Sequence, residues 1–182
     1  KCVNSLEKIL NEINKHGQLW KVYHDDFEQK VNSILDEIDK SSIKDYPMFF
    51  FIDPFGYAGF SMETLKRILS YPRSELFINF MVYDVVRFWD QKHAEKEMKS
   101  LFGTEEYKSV DKTKNPEERQ LFLMNLYCQN LREIACAKHV MPFRINTPGQ
   151  KTRPRYYLIH ASQHIKALKV MKDNMARVSD SE

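Results

Sequence analysis

The stretch FFFIDPFGYAGFS, residues 49–61, is the most informative part of the sequence for the fold class of this chain. Its first residues extend an unbroken apolar run that starts at Met48 and ends at Ile52. Continuous rather than alternating hydrophobicity is typical of a strand that is covered on both faces. An Asp-Pro pair and two glycines follow, which mark a loop. The stretch therefore predicts a buried central strand that runs into a loop at its carboxyl end.

Strands and helices are predicted to alternate on both sides of this strand. The periodicity predicts helices over residues 6–13, 27–38, 61–71, 92–101, 117–137 and 164–177 and strands over residues 19–24, 75–82, 140–145 and 155–160. Gly17 ends the first helix, and Ser61 caps the third, with Glu63 in its first turn. A Pro-Gly turn joins the last two strands, so we expect them to form an antiparallel hairpin.

This order predicts an α/β fold with a mostly parallel sheet and helices on both faces, because parallel neighbours need a crossover and a helix is the usual one. The hairpin adds an antiparallel strand at or near the edge of the sheet. A length of 182 residues fits one domain, which we expect to span residues 1–182.

Composition and charge exclude several classes. Hydrophobic residues make up 42% of the chain and charged residues 29%, a globular composition, and a net charge of +3 does not by itself indicate nucleic acid. The longest apolar run is too short to span a membrane. Three cysteines without a C-x-x-C spacing support neither a disulfide framework nor a metal site, and they favour a reducing cytoplasm.

Residues 53–59 are the best candidate site, because ligands in open α/β sheets bind beyond the carboxyl ends of the strands. Asp53 follows the strand directly, Pro54 stiffens the turn and Phe55 offers a stacking face. Gly56 lets a ligand approach the backbone, and Tyr57 follows it. A structural turn in which the aspartate only caps local amides fits the residue types equally well.

A second group of polar residues lies near or beyond the end of the strand at residues 75–82. Asn79, Tyr83, Asp84 and Arg87 could line the same cleft as the loop, and we expect Asn79, Tyr83 and Arg87 to contact a substrate. Asn79 is equally compatible with a hydrogen-bonded residue of the core.

Four stretches resemble the three-Cys-motif partner family of bacterial and phage proteins. They are FFFIDPFGYAGFSMETLKRIL, SELFINFMVYDVVRF, SLFGTEEYK and YYLIHASQHIKALKVMKDNM, spread over residues 49–175. The resemblance implies a Rossmann-type methyltransferase fold, whose sheet has a similar antiparallel ending. It also implies S-adenosylmethionine as cofactor, a nucleic acid base as substrate and a three-Cys-motif protein as partner.

The resemblance also implies roles for the loop. In methyltransferases that act on exocyclic amino groups of bases, a D/N/S-P-P-Y/F loop accepts hydrogen bonds from the amine and stacks on the extruded base. By this likeness Asp53 and Pro54 are the acceptors and Phe55 is the stacking ring. One proline of the pattern is missing, which leaves the specificity for amino groups open.

The resemblance implies only part of a cofactor-binding site. Asp26, with its neighbours Asp25 and Phe27, matches the acid that accepts from the adenine amine of the cofactor, and a plain helix N-cap is the alternative. No G-x-G loop occurs in the chain, and residues 1–14 resemble the helix after the family's second strand. We therefore expect the first strand or strands and the glycine loop upstream of Lys1, and cofactor binding only if that loop exists in the full-length protein.

Two functions stay open. The first is a methyltransferase fragment that acts on a nucleic acid base. The second is a non-catalytic, methyltransferase-like partner module that docks onto another protein, which the missing glycine loop and the irregular D-P-F-G motif favour. A metal-dependent enzyme has no ligand signature in the sequence.

Overall fold

The computed structural model describes residues 2–13, 20–41, 45–146 and 154–179. Its helices are α1 (Cys2–Ile13), α2 (Phe27–Lys40), α3 (Met62–Leu69), α4 (Val82–Phe88), α5 (Glu95–Phe102), α6 (Pro116–Glu133) and α7 (Ile165–Ser179), and its strands are β1 (Met48–Ile52), β2 (Ser74–Phe80), β3 (His139–Asn146) and β4 (Pro154–Ser162). All six predicted helices are confirmed, with small differences at their ends. Gly17 and the turn between the hairpin strands lie outside the described residues.

The strands form one mixed sheet in the order β1-β2-β4-β3. β1 pairs with β2 in parallel, and β4 runs antiparallel to both β2 and β3. Three of the four described strands therefore point the same way, and the α/β class and the antiparallel hairpin are confirmed. The second strand of the hairpin inserts next to β2, which leaves β3 at the edge.

The apolar core lies against one face of this sheet. Leu76, Ile78 and Phe80 of β2 are buried on that face, and the ring of Phe80 stacks on Tyr127 of α6 with 4.5 Å between the ring centroids. On the opposite face Glu75 lines a groove together with residues of α7. Helices therefore lie on both faces, as predicted, although α7 packs beside β3 and β4 and leaves Phe49 and Phe51 of β1 exposed on the second face. No helix of the described ranges combines the length and the apolar character needed to cross a membrane.

The prediction that β1 is a central strand covered on both faces is wrong for the described part of the chain. β1 lies at an edge of the sheet, and its side chains alternate: Ile52 is buried, whereas Phe49 and Phe51 are 56% and 55% exposed. Successive side chains of a strand point to opposite faces. An apolar run of five residues cannot reveal which of those faces the rest of the chain covers.

The predicted strand over residues 19–24 is also wrong for residues 20–24, which the structure describes as irregular. A strand needs a hydrogen-bonded neighbour, and this segment pairs with none of the described strands. Tyr23 instead packs its ring under the ammonium group of Lys30, 4.1 Å from the ring centroid. The predicted strand at residues 75–82 is right but ends at Phe80, and Val82 already begins α4.

A polar interface fastens α2 to α3 and fixes both against the candidate loop. The Glu28 carboxylate accepts hydrogen bonds from the backbone N–H of Ser61, at 3.1 Å, and from the hydroxyl groups of Ser61 and Thr64. Ser61 also caps α3, as predicted, by accepting from the backbone N–H of Thr64. At the other end of the interface the Tyr71 hydroxyl donates to Asp39. These bonds connect the start of α2 to the end of the loop.

We expect Tyr71→Phe to change how stability depends on pH. Burial, and then the hydrogen bond to Asp39, raises the pKa of Tyr71 from 10.0 to about 12. A raised folded-state pKa stabilises the fold fully below the unfolded pKa, and this stabilisation is lost as the pH rises toward 12. The variant should lose about 1 kcal/mol of unfolding free energy at pH 8 and less than that near pH 12.

Urea unfolding between pH 8 and pH 12 measures this difference. Tyr46→Phe, at an exposed phenol, is the matched control and should follow the parent protein throughout. A stability difference between Tyr71→Phe and the parent that stays constant over this pH range would contradict the assignment.

Candidate functional site

The parallel pairing of β1 and β2 places Asp53 beside Asn79. The register joins Ile52 to Ile78, so the next residue of each strand lies at the same carboxyl edge. The side-chain amide nitrogen of Asn79 donates a hydrogen bond to Oδ1 of Asp53 at 2.7 Å. This bond links the candidate loop to the neighbouring strand and holds the carboxylate at the sheet edge.

A cleft of about 690 Å³ opens over this pair. It is lined by Asp53, Pro54, Phe55, Gly56, Tyr57, Ala58, Asn79, Met81, Asp84 and Phe88. Six of these are residues that the sequence predicts as catalytic or substrate-binding, so the structure brings them together. Met81 and Phe88 were missed. Phe88 follows Asp84 by four residues on a short helix, and residues at this spacing lie on the same helix face. This spacing could have predicted that Phe88 lines the cleft.

Two acceptor oxygens of this pair have no protein partner within the described ranges. Oδ1 of Asn79 is buried and makes no hydrogen bond there, whereas Oδ2 of Asp53 belongs to an exposed side chain. A buried acceptor left unpaired costs about 1–3 kcal/mol. A ligand that carries two N–H groups on one nitrogen could donate to both oxygens and remove this cost.

Phe55 presents its ring to solvent at the tip of the loop. Its exposed fraction is 105%, whereas Tyr57, two residues on, packs on Phe88 with 5.0 Å between the ring centroids. The loop therefore has one anchored aromatic side chain and one free one. A free aromatic face at the mouth of a cleft can stack on a planar ring of a ligand.

The loop depends on two glycines for its backbone path. Gly56 has φ +87° and Gly59 has φ +110°, and a Cβ placed on either would meet no atom within 4 Å. The requirement for glycine therefore comes from the left-handed backbone and not from crowding. The path lets the chain turn from Asp53 back to Ser61, where α3 begins.

We expect Gly59→Ala to lower the free energy of unfolding by about 1–2 kcal/mol, because a side chain at this φ is strained. Urea denaturation of the purified protein measures the change. Ala58→Ser, at the adjacent position of the same loop, should stay within about 0.5 kcal/mol of the parent. Equal stability of Gly59→Ala and Ala58→Ser would show that the loop does not hold this conformation.

The prediction that Tyr83 and Arg87 line the same cleft as Asp53 is wrong. They line a separate cavity of about 200 Å³ between α4 and α6. Asp84 and Phe88 face the cleft instead. Positions one residue apart on a helix differ by about 100° in direction, so the two pairs spaced by four lie on different sides of α4. The sequence placed all of them after the strand but could not set the rotation of α4.

Of the predicted cofactor residues, Asp26 lines a cavity of about 370 Å³ together with Gly59 and Glu97. Its carboxylate caps α2 by accepting from the backbone N–H of Gln29 at 3.0 Å. Asp26 therefore has the helix N-cap role that the sequence left as the alternative to cofactor binding. The Asp25 side chain is 58% exposed and lies 4.0 Å from Lys30. Phe27 begins α2, is 37% exposed and does not contribute to that cavity.

The residues present fit only one end of S-adenosylmethionine. Asp26 and Glu97, whose Oε2 is buried without a partner within the described ranges, offer acceptors for the adenine amine. The ribose and methionine need a close backbone approach at a glycine loop, and the sequence holds no G-x-G. The described residues therefore do not fit the methyl-donating end, and no transfer step can be assigned to them.

A metal centre is not formed by the described residues, since no three His, Cys, Asp or Glu side chains among them are grouped to hold an ion. His160 is buried and lies 3.0 Å from the Glu75 carboxylate on the sheet face that α7 covers.

Comparisons of the chain with protein-family models, with curated proteins and with solved structures find no significant match.

Proposed function

We propose that this chain binds a nucleic acid base over Asp53-Pro54-Phe55 and forms the acceptor side of an S-adenosylmethionine-dependent methyltransferase. One observation carries the proposal. Asn79, whose buried Oδ1 has no hydrogen-bond partner among the described residues, donates to the exposed Asp53 carboxylate beside a cleft whose rim holds a fully exposed Phe55 ring. A flat heterocycle with an exocyclic amino group matches all three features.

The chemistry of adenine and cytosine suits this site. Their exocyclic amine has two N–H groups, one for Oδ2 of Asp53 and one for Oδ1 of Asn79. The ring stacks on Phe55, and base–aromatic stacking contributes about 1–3 kcal/mol per base. The base reaches the cleft from a single strand or after extrusion from a duplex. A cleft of about 690 Å³ has the size of an ordinary small-molecule pocket.

The fold supports the methyltransferase class. The resemblance implies a sheet in which one antiparallel strand is inserted next to the last parallel strand. In the order β1-β2-β4-β3, β4 is such a strand. The described residues hold no glycine loop, so the proposal assigns them the base and not the methyl-donating end of S-adenosylmethionine.

Phe55→Ala tests base docking. We expect its affinity for a single-stranded oligonucleotide with one central adenine to fall about 5- to 100-fold, because one stacking contact is lost. Fluorescence anisotropy with a labelled oligonucleotide measures the affinity. Phe49→Ala removes another exposed aromatic ring outside the cleft and should bind like the parent. Unchanged binding by Phe55→Ala would exclude the proposed docking.

The amino group is tested separately, by replacing the central adenine with unsubstituted purine. We expect the parent protein to bind the purine oligonucleotide several-fold more weakly, since two acceptors stay unpaired. Asp53→Asn offers the amine one fewer charged acceptor and should reduce the preference for adenine. A parent protein that binds both oligonucleotides equally would contradict an amine acceptor at Asp53 and Asn79.

The partner-module function is the second candidate, and the exposed aromatic side chains of β1 favour it. Phe49 and Phe51 lie 6.3 Å and 5.9 Å from Phe77, measured between ring centroids, on an edge strand. Exposed apolar edge strands are natural pairing sites for another polypeptide. By the resemblance, that polypeptide is a three-Cys-motif protein.

The pair Phe49→Ala and Phe55→Ala separates the two functions. Loss of co-purification with the three-Cys-motif protein in Phe49→Ala, with unchanged oligonucleotide binding, would support docking through β1. If Phe55→Ala alone is impaired, and only in oligonucleotide binding, the base-binding function stands and β1 has no role in partner capture.

A further inference from the structure

We propose that the cavity between α4 and α6 binds a backbone phosphate of the nucleic acid strand whose base docks at Phe55. This inference rests on the proposed function and assigns it a second contact. The cavity measures about 200 Å³ and is lined by Tyr83, Val86, Arg87, Pro116, Glu117, Arg119 and Gln120. The sequence predicts that Tyr83 and Arg87 contact a substrate, and the structure groups them here with a second arginine.

Two guanidinium groups without acidic partners line this cavity. Neither Arg87 nor Arg119 forms an ion pair within the described ranges. Nε of Arg119 is buried and lacks a hydrogen-bond partner there. Arg87 lies 5.1 Å from the ring of Phe88, which itself lines the base cleft. Unpaired guanidinium groups are suited to bind phosphate, because their planar N–H donors match its oxygens.

A buried side chain between the helices also lacks a partner. Gln120 is 4% exposed, and its Oε1 makes no hydrogen bond to the described residues. The oxygen and nitrogen of a glutamine amide can exchange places by rotation, so this side chain can turn a donor toward an anion. Glu117 is the one carboxylate of the lining set, and the two arginines leave the cavity with a net positive charge.

The N-terminal end of α6 does not add to this preference for anions. Asn115 caps it by accepting from the backbone N–H of Glu118, and Pro116 has no N–H. Glu117 and Glu118 stand in the first turn, where they already meet the partial positive charge of the helix end. The two arginines and the buried Gln120 amide therefore carry the preference.

The cavity and the base cleft lie on two sides of one helix. Asp84 and Phe88 of α4 face the cleft, and Tyr83 and Arg87 face the cavity. An α-helix with its side chains is about 10–12 Å wide. Successive nucleotides along one strand of a duplex rise about 3.4 Å, and more when the strand is extended, so a phosphate within about three nucleotides of the docked base can reach the arginines.

The experiment compares two labelled oligonucleotides of equal length, one with bases and one fully abasic, by anisotropy at several salt concentrations. Arg87→Gln and Arg119→Gln are the test variants, and Arg73→Gln, which pairs with Asp45 at the opposite end of the sheet, is the charge-matched control. We expect each test variant to bind both ligands more weakly. The slope of log affinity against log salt should fall by about 0.7 for each lost phosphate contact. The control should keep the slope of the parent.

Arg119→Lys guards against an effect on folding, since it keeps the charge and should retain most of the salt slope that Arg119→Gln loses. A competition with inorganic phosphate identifies the source of the anion. If the arginine variants weaken phosphate binding but leave both oligonucleotide slopes unchanged, the cavity binds a free anion and its assignment to the strand is overturned.

The outcomes also separate this inference from the base-docking proposal. If Arg87→Gln and Arg119→Gln bind both oligonucleotides like the parent, the phosphate site is wrong, whatever Phe55→Ala does. If these variants weaken the abasic ligand while Phe55→Ala changes nothing, the phosphate site stands and base docking fails. If the parent binds neither oligonucleotide, both are overturned.

Discussion

The parallel pairing of β1 with β2 is the constraint on which the candidate site depends. It puts Ile52 opposite Ile78 on the buried face and so brings the next residues, Asp53 and Asn79, to one edge. Of the β1 side chains Ile52 is buried and Met48 and Phe50 are half-buried, and a slip of one residue would turn all three toward the exposed face. The cost of exposing them stabilises the register, which places Asn79 within 2.7 Å of Asp53.

Three local features form the cleft next to this strand pair. The left-handed glycines of the loop turn the chain back toward α3, and the Glu28 carboxylate ties the end of the loop to α2 through Ser61. α4 starts two residues after β2. Its Asp84 side lines the cleft at Asp53, and its Arg87 side lines the cavity between α4 and α6. The carboxyl edge of β1 and β2 thus holds the loop with the exposed Phe55 ring. The neighbouring helix α4 has Arg87 on the side that faces away from the cleft.

Much of the fold was predictable, because its helices and most of its strands have clear periodicity. The α/β order, the Ser61 cap and the C-terminal hairpin follow from local patterns. The failures concern information that a local pattern lacks. An apolar run does not reveal that Phe49 and Phe51 are exposed, and residues 20–24 have strand-like composition but pair with none of the described strands. The loop and Asn79 were found because strand ends meet at one edge, whereas Arg87 was misplaced because the rotation of α4 depends on packing against α6.

In the proposed complex a base stacks on Phe55 while its amine contacts Asp53 and Asn79. A nuclear magnetic resonance titration of the isotopically labelled protein with adenosine monophosphate tests this arrangement. We expect shifts of the Phe55 ring and of the Asn79 side-chain amide, and a through-space contact between the ring protons of Phe55 and the adenine protons. Shifts confined to other parts of the protein, with both of these groups unmoved, would contradict it.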